Sequence, residues 1–212
     1  ETLRYFHKSI AKKINDLKPN LIFLTGDVLN ETDKIDALDT FLKLIDNSIP
    51  KYAITGNWEY WGGVDLVQLK TMFLKNNCEL LINENRSISI KNRQVSIIGI
   101  DDFIGGYPDF PKAVKNLKKT ETNIVLTHCP QHRDTIALEK GDLYIDLVLS
   151  GHTHGGQITI LGYAPIVPQG SGRYLKGWYT ESEPKMYISK GIGTSAIPIR
   201  FGARAEMVEI DL

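Results

Sequence analysis

Apolar positions along the chain follow two rhythms in alternation. Leu3, Phe6, Ile10, Ile14 and Leu17 recur at steps of three and four, the period of an amphipathic helix, which ends before Lys18-Pro19. The run Leu21-Ile22-Phe23-Leu24 then reads as a strand buried on both faces, closed by Thr25-Gly26-Asp27. Ile35, Leu38, Phe41, Leu42 and Ile45 predict a second helix, with Thr32 or Asp33 as its cap. Residues 51–55 predict a strand, 56–63 a polar and aromatic loop, and Leu66, Leu69, Met72 and Phe73 a third helix stopped at Asn76-Asn77. Alternation over 87–91 and 94–100, parted at Asn92-Arg93, predicts a hairpin. A helix over 111–117, a buried strand over 123–126 and a short helix over 134–138 come next. The apolar run 147–149 leads into Gly151-His152-Thr153-His154-Gly155-Gly156-Gln157. From Ile158 onward glycine and proline interrupt every few residues, and 186–189 and 205–210 predict strands. Alternating helices and strands before a strand-rich tail predict an α/β fold, a layered α/β/β/α sandwich of two mixed sheets flanked by helices.

One regularity turns this pattern toward chemistry. The strand ends at Leu24, Thr55, Leu126 and Ser150 each run into a loop that carries Asp27, Asn57, His128, or the pair His152 and His154. Ligands of such sheets bind beyond the carboxyl ends of the strands, so the four loops are expected to converge. In extended backbone, positions i and i+2 point to one side, which would aim His152 and His154 at one point. One carboxylate, one carboxamide and three imidazoles suit manganese, iron or zinc better than calcium. Taken singly, Asp27 could cap a turn, Asn57 could brace its own loop and His128 could be a hydrogen-bonded structural residue. Five such side chains at strand ends favour a metal site.

Composition narrows the class without changing that picture. A chain of 212 residues, 42% hydrophobic and 24% charged, fits one folded domain with one sizeable core. Lys+Arg and Asp+Glu balance at 25 each, so the net charge calls for neither nucleic acid nor an anionic membrane, although a neutral total can hide local patches. Cys78 and Cys129 lie far apart and predict no disulfide framework. No apolar run approaches the roughly 18 residues of a membrane span. The sequons at Asn30-Glu31-Thr32 and Asn85-Arg86-Ser87 carry no weight without a signal peptide. The chain opens at Glu1, not at a methionine, so a native N-terminal segment is expected ahead of it.

Gly26-Asp27, Gly56-Asn57, His128 before Pro130, and Gly151-His152-Thr153-His154 stand in the order of the motifs of the calcineurin-like metallophosphoesterase family, which the chain resembles over nearly its whole length. The stretch from Tyr187 to Ser195 and Pro198-Ile199-Arg200-Phe201-Gly202 resemble its bacterial branch of membrane-associated phosphodiesterases and lipid-precursor pyrophosphatases. The resemblance implies a single domain over residues 1–212 that hydrolyses a phosphodiester or pyrophosphate bond with two divalent transition-metal ions, manganese, iron or zinc. It implies that Asp27 bridges the ions, that Asn57, His128 and His152 complete the second metal's ligands, and that His154 binds the first. The nucleophile is then a hydroxide bridging ions roughly 3.5–4 Å apart, not a side chain. The implied substrate is a small-molecule or lipid-linked phosphoester, not nucleic acid. The implied place is the bacterial cytoplasm or the membrane periphery, with peripheral membrane association.

Two departures qualify the resemblance. The family opens on an Asp-x-His motif at the end of its first strand, and none occurs before Asp27; His7 lies inside a helical period and is no substitute. The domain is therefore expected to lack that strand and two ligands of the first metal. Where the family has Gly-Asn-His-Glu/Asp, this chain has Gly56-Asn57-Trp58-Glu59. An indole is donor-only and forgoes the roughly 10²–10⁴-fold typical of general acid catalysis, which points to a leaving group that needs little protonation. Trp58, Tyr60 and Trp61 either pack the loop or form an aromatic wall for an apolar or nucleobase part of a substrate. Arg200, Lys190 and Arg173 are candidates for holding substrate phosphate. The competing reading is a degenerate, non-catalytic metal-binding scaffold that serves protein interaction. A nucleic-acid binder lacks any basic excess to support it.

Overall fold

The computed structural model of the protein describes residues 5–117 and 122–211. Two sheets carry the fold. In the smaller, β1 (Ile22–Thr25), β2 (Lys51–Ile54) and β3 (Cys78–Leu80) run parallel in that order. The larger joins β4 (Glu84–Ile90), β5 (Arg93–Gly99), β6 (Thr122–Leu126), β7 (Leu147–Ser150), β8 (Gly177–Tyr179) and β9 (Met186–Ile188) in the order β4-β5-β6-β7-β9-β8. Its four inner strands are parallel, and β4 and β8 close the edges antiparallel. Of the two expected mixed sheets only this one is mixed. The smaller is all-parallel because α1 (Tyr5–Leu17), α2 (Ile35–Leu42) and α4 (Leu66–Lys75) alternate with its strands, and parallel neighbours need such crossovers.

Side-chain alternation builds the layers. Ala53, Leu80 and Leu24 face outward onto Ile10, Ile14, Leu42, Leu69 and Phe73 of the three helices. Tyr52 and Ile54 face inward and meet Val95, Ile97, Ile124, Leu126, Leu147 and Leu149 of the larger sheet. Ile98, Val125, Val148, Met186 and Ile188 point to the far side, onto Phe110 of α5 (Phe110–Ala113) and Ile136 of α6 (His132–Glu139). Successive residues of one strand thus serve two cores, which is the period-two rule at work in a four-layer α/β/β/α stack.

The differences from the sequence expectation are local. β1 is partly buried throughout and not enclosed on both faces, because it is the edge of its sheet. The loop over 56–63 contains a short helix, α3 (Asn57–Trp61), opened by the extended backbone of Gly56. Neither Thr32 nor Asp33 caps α2; a single 3-10 turn, Thr32–Lys34, precedes it, and Thr32 Oγ1 instead donates to the Gly63 carbonyl (3.2 Å) and accepts from the Asp65 amide (3.0 Å). The hairpin turns one residue early, at Lys91-Asn92, both left-handed (φ 47° and 70°). Helix α5 stops short of 117, where Asn116 turns left-handed (φ 60°). Among the described residues, 205–210 pair with no strand; Ile210 packs on the core between the sheets, so their alternation reports burial alone. Among the described residues no helix is long and apolar enough to cross a membrane.

Candidate metal centre

The carboxyl ends of β1, β2, β6 and β7 open on one rim, and backbone geometry fixes what projects there. Gly26 and Asp27 are both left-handed (φ 87° and 55°). A Cβ on Gly26 would stand 2.7 Å from His128 Nδ1 and from the Gly56 amide nitrogen, so only glycine lets the β1, β2 and β6 loops meet. A Cβ on Gly56 would collide with Asp27 Oδ1.

Asp27 Oδ2 lies 3.0 Å from His128 Nε2, and His128 Nε2 lies 3.1 Å from His152 Nδ1. One ligand atom from each of Asp27, His128 and His152 falls within 4.8 Å of the other two. Both rings are anchored from behind. His128 Nδ1 faces the Thr25 carbonyl at 2.6 Å, and His152 Nε2 faces the Gln169 carbonyl at 2.7 Å. A carbonyl only accepts, so each of these nitrogens carries a proton and the opposite nitrogen is turned toward Asp27, the back-bonding by which proteins orient metal-ligating histidines. Asn57 is 2% exposed, and its Oδ1 is buried without a hydrogen-bond partner among the described residues. An orphaned carbonyl oxygen costs stability unless a ligand completes it.

Electrostatics point the same way. Burial disfavours the His128 imidazolium, yet the neighbouring Asp27 carboxylate outweighs it and pushes the ring up to about 9. Burial likewise disfavours the Asp27 charge, but His128 and the Trp58 amide hold its carboxyl below the usual range. This is a well for positive charge. With the His128 proton displaced by a cation, oxygen and imidazole donors with one carboxylate fit a divalent transition ion.

His154 stands apart. The Gly151 to Gln157 stretch is not extended: His152 and His154 are left-handed (φ 68° and 50°), so the i, i+2 rule does not apply and the two rings diverge. His154 Nδ1 sits 3.2 Å from Arg200 Nη2, and arginine only donates, so Nε2 carries the proton. Burial, then Arg200, pull this imidazolium down to about 4.

Arg200 is correspondingly not free for phosphate. Nε donates to the Gly193 carbonyl (2.7 Å), Nη1 to the His154 and Ala203 carbonyls (both 3.1 Å), and Nη2 to the Lys190 carbonyl (2.7 Å) and the His154 ring. Its donors are all engaged. Lys190 pairs with Glu206 at 2.7 Å, and Arg173 lies on the surface beside Asp134 at 3.7 Å.

Two groups escaped sequence reasoning. Glu59, on α3, accepts from the Gly56 amide (2.7 Å) and the Asp27 amide (3.0 Å) through Oε2, and from the Leu29 amide (2.9 Å) through Oε1. It locks two ligand loops together. Burial and the Asp27 charge push its carboxyl up to about 7. The readable signal was its place three residues after the cap position Gly56, where a glutamate reaches back. A further strand end also joins the rim. After β5, Asp101 Oδ1 accepts from Thr55 Oγ1 (2.7 Å) and the Tyr60 hydroxyl, while the Cys129 thiol reaches Asp102 Oδ2 (3.4 Å). Trp58 donates its amide to Asp27 Oδ1 (2.9 Å) and its indole to Ser195 Oγ (3.3 Å), and packs edge-to-face on Trp61. Its ring therefore braces the tail of the chain.

Residues 1–156 match the family model described as calcineurin-like phosphoesterase. The uncharacterized metallophosphoesterase YkuE of Bacillus subtilis (strain 168) is 30% identical over 210 residues, spanning 97% of this chain and 72% of its own. YkoQ of the same organism, also an uncharacterized metallophosphoesterase, is 33% identical over 199 residues, 91% of this chain and 72% of its own. An uncharacterized metallophosphoesterase of Aquifex aeolicus (strain VF5) is 33% identical over 206 residues, 92% and 73% respectively.

Proposed function

The chain belongs to the calcineurin-like phosphoesterase family, and from that premise we propose that it hydrolyses a phosphodiester or pyrophosphate bond at a divalent-metal centre held by Asp27, Asn57, His128 and His152. The observation that carries this reading is the pair of histidines bonded from behind to the Thr25 and Gln169 carbonyls, so that their free faces converge on Asp27. When bound, such ions polarise a phosphoryl oxygen and bring the pKa of a water toward neutrality.

The chain's own residues do the rest. Asp27 brings the negative charge that holds cations, and Glu59 fixes its backbone against that of Gly56. His128 and His152 present nitrogens whose tautomers are set by carbonyls. Asn57 offers a neutral oxygen. Trp58, committed to Ser195, supplies no proton to a leaving group, which favours substrates with a good leaving group such as a pyrophosphate or an activated diester. The same reading assigns His154 to a second ion, of which manganese is the first to try; for that ring to ligate, the Arg200 contact would have to open, which frees Nδ1 or lets the proton move from Nε2 to Nδ1.

The test is turnover of bis(4-nitrophenyl) phosphate by the protein with manganese. Asp27→Ala and His152→Ala are each expected to lower kcat/KM by at least about a hundredfold, more than the loss of an outer ligand partner. Turnover indifferent to both substitutions and to a strong chelator overturns the reading. A non-catalytic metal-binding scaffold is the second reading, favoured by the His154 contact with Arg200. It expects at most one bound ion per chain by calorimetry and no metal-dependent turnover.

A further inference from the structure

Just past β5, two adjacent carboxylates lie inside the protein with no part in the hydrolytic reading. Asp101 is 3% exposed and Asp102 fully buried, and neither forms an ion pair among the described residues. Every hydrogen bond they make is with a donor. Asp101 Oδ1 accepts from Thr55 Oγ1 (2.7 Å), the Tyr60 hydroxyl (2.5 Å) and the Asp102 amide (2.8 Å), and its Oδ2 from the Tyr107 amide (2.9 Å). Asp102 Oδ1 accepts from the amides of Ile104 (3.0 Å) and Gly105 (2.6 Å), and its Oδ2 from the Cys129 thiol (3.4 Å). Both are acceptor-only groups. Burying two like charges side by side is costly, and a neutral side chain would brace a loop with less penalty.

The partners show what the pair secures. Thr55 and Tyr60 stand on either side of Asn57 in the chain, so one oxygen of Asp101 grips both flanks of that residue. Gly105, seated by Asp102, lies against it: a Cβ there would stand 3.0 Å from Asn57 Cα and 3.3 Å from its carbonyl oxygen. Cys129, on the other Asp102 oxygen, directly follows His128. A Cβ on Gly170 would stand 2.9 Å from Cys129 Sγ and 3.2 Å from Ile104 Cγ2, and the Gln169 carbonyl just before it is the one that anchors His152. Loops from both sheets lean on one strand end.

We propose that Asp101 and Asp102 are positioning residues of the metal centre: without meeting metal or substrate, they hold the Asn57, His128 and His152 loops in one constellation, and their charge favours a cation there. Asn57 depends on this most. Its Oδ1 has no hydrogen-bond partner among the described residues, so its aim is set by the backbone that carries it. The charge acts as well as the geometry. Burial opposes the His128 imidazolium and Asp27 favours it, and Asp102 adds to the favourable side. A field that draws a proton to that ring draws a divalent cation more strongly. The effect on metal rests on the hydrolase reading; the bracing of the loops does not.

Hydrogen exchange of the metal-free protein and calorimetric titration with manganese test the two parts separately. Asp101→Asn and Asp102→Asn each turn an amide N–H₂ toward donors, while Tyr60→Phe removes one donor and leaves the rest. Exchange over residues 55–60 and 104–107 is expected to quicken at least about tenfold in the aspartate variants, the effect of losing one or two hydrogen bonds on local opening. Their manganese Kd is expected to rise at least about tenfold, as for other partners that orient metal ligands. Tyr60→Phe is expected to raise it about fivefold, the ratio that one hydrogen bond supports. Phe73→Leu, on α4 beyond the smaller sheet, is the control: it lowers Tm and leaves Kd where it was. Unchanged exchange in the aspartate variants, or a Kd that moves no further than in Phe73→Leu, overturns the proposal. Should the aspartate variants not fold, Tyr60→Phe decides on the same two readouts. Wild type that takes up no manganese sinks the hydrolase reading; faster exchange in both loops then still upholds the bracing, and unchanged exchange overturns it.

Discussion

Gly56 is held to glycine by its neighbour, where Gly26 is held by its own left-handed backbone as well. The Gly56 φ of −117° is open to any residue, so nothing in the backbone demands glycine; what demands it is the Asp27 carboxylate lying where a Cβ would stand. Gly56→Ala is therefore expected to leave the fold in place but displace Asp27, abolishing the rise in Tm that manganese gives the wild type. A thermal shift titration checks this, and an unchanged rise refutes it. The glycines, Asp27 and His128 were legible in the sequence because each sits at a fixed offset from a strand end. Arg200 was not. A guanidinium is read as a phosphate fork from composition alone, but its acceptors here, the carbonyls of His154, Lys190, Gly193 and Ala203, come from separate stretches that no local pattern links. The two histidines of one motif also divide in role for a reason invisible to spacing: left-handed backbone at both turns one ring to His128 and the other to Arg200.

At the scale of elements, α3 matters beyond its five residues. It carries Asn57 toward the centre, the Trp58 amide to Asp27, and Glu59 under both ligand loops. Glu59→Gln keeps the shape but turns an amide N–H₂ toward backbone donors. It is expected to cost about 1–3 kcal/mol, the range for a buried donor left unmatched. Urea denaturation measures the loss, and a cost within error of zero removes Glu59 from this role. The longer strands and α1, α2 and α4 were legible because their apolar period is sustained. β3 follows α4 after only Asn76 and Asn77, and β8 opens on Gly177 within the glycine-interrupted tail, so neither stands clear of its neighbours as a separate run, whereas β9, equally short, does. Residues 205–210 alternate well but find no pairing partner among the described residues, since a period of two follows from burial on one side whether or not hydrogen bonds form.

At the scale of the whole molecule, two sheets face each other across one core, and the loops at one end become the site. That arrangement was foreseeable from four strand ends sharing a chemistry; the loop after β5, with Asp101 and Asp102, adds to the rim without having been marked. The outer layers have their own sensitivity. His132 on α6 is 2% exposed, stacked on Phe103, with Nδ1 3.0 Å from Thr127 Oγ1. Burial pulls its imidazolium down to about 4, from an ordinary 6.5. Between those values the unfolded chain binds the proton and the folded one does not. His132 thus contributes stability present above pH 6.5 and lost as the pH falls toward 4, at most about 3 kcal/mol. Unfolding free energy measured at pH 7 and pH 4.5 is expected to differ less in His132→Gln than in wild type by up to that amount; an equal pH slope in both refutes the assignment.

The guanidinium of Arg200, holding the His154 loop against 190–193 and 203, has a consequence for chain continuity. The segment that leaves the metal loop at Gln157 returns to it at Phe201, so residues 158–200 form a closed excursion whose two ends are stapled together at the base. A single cut at the Leu161-Gly162 turn leaves one fragment locked into the sheets through β7 and the other through β9, with Arg200 bridging them. Ile160 and Tyr163 exchange backbone hydrogen bonds across Leu161 and Gly162, so the backbone there is expected to be dispensable as a covalent link: a chain cut at that turn should still elute as one body in gel filtration, and two separated fragments would refute it.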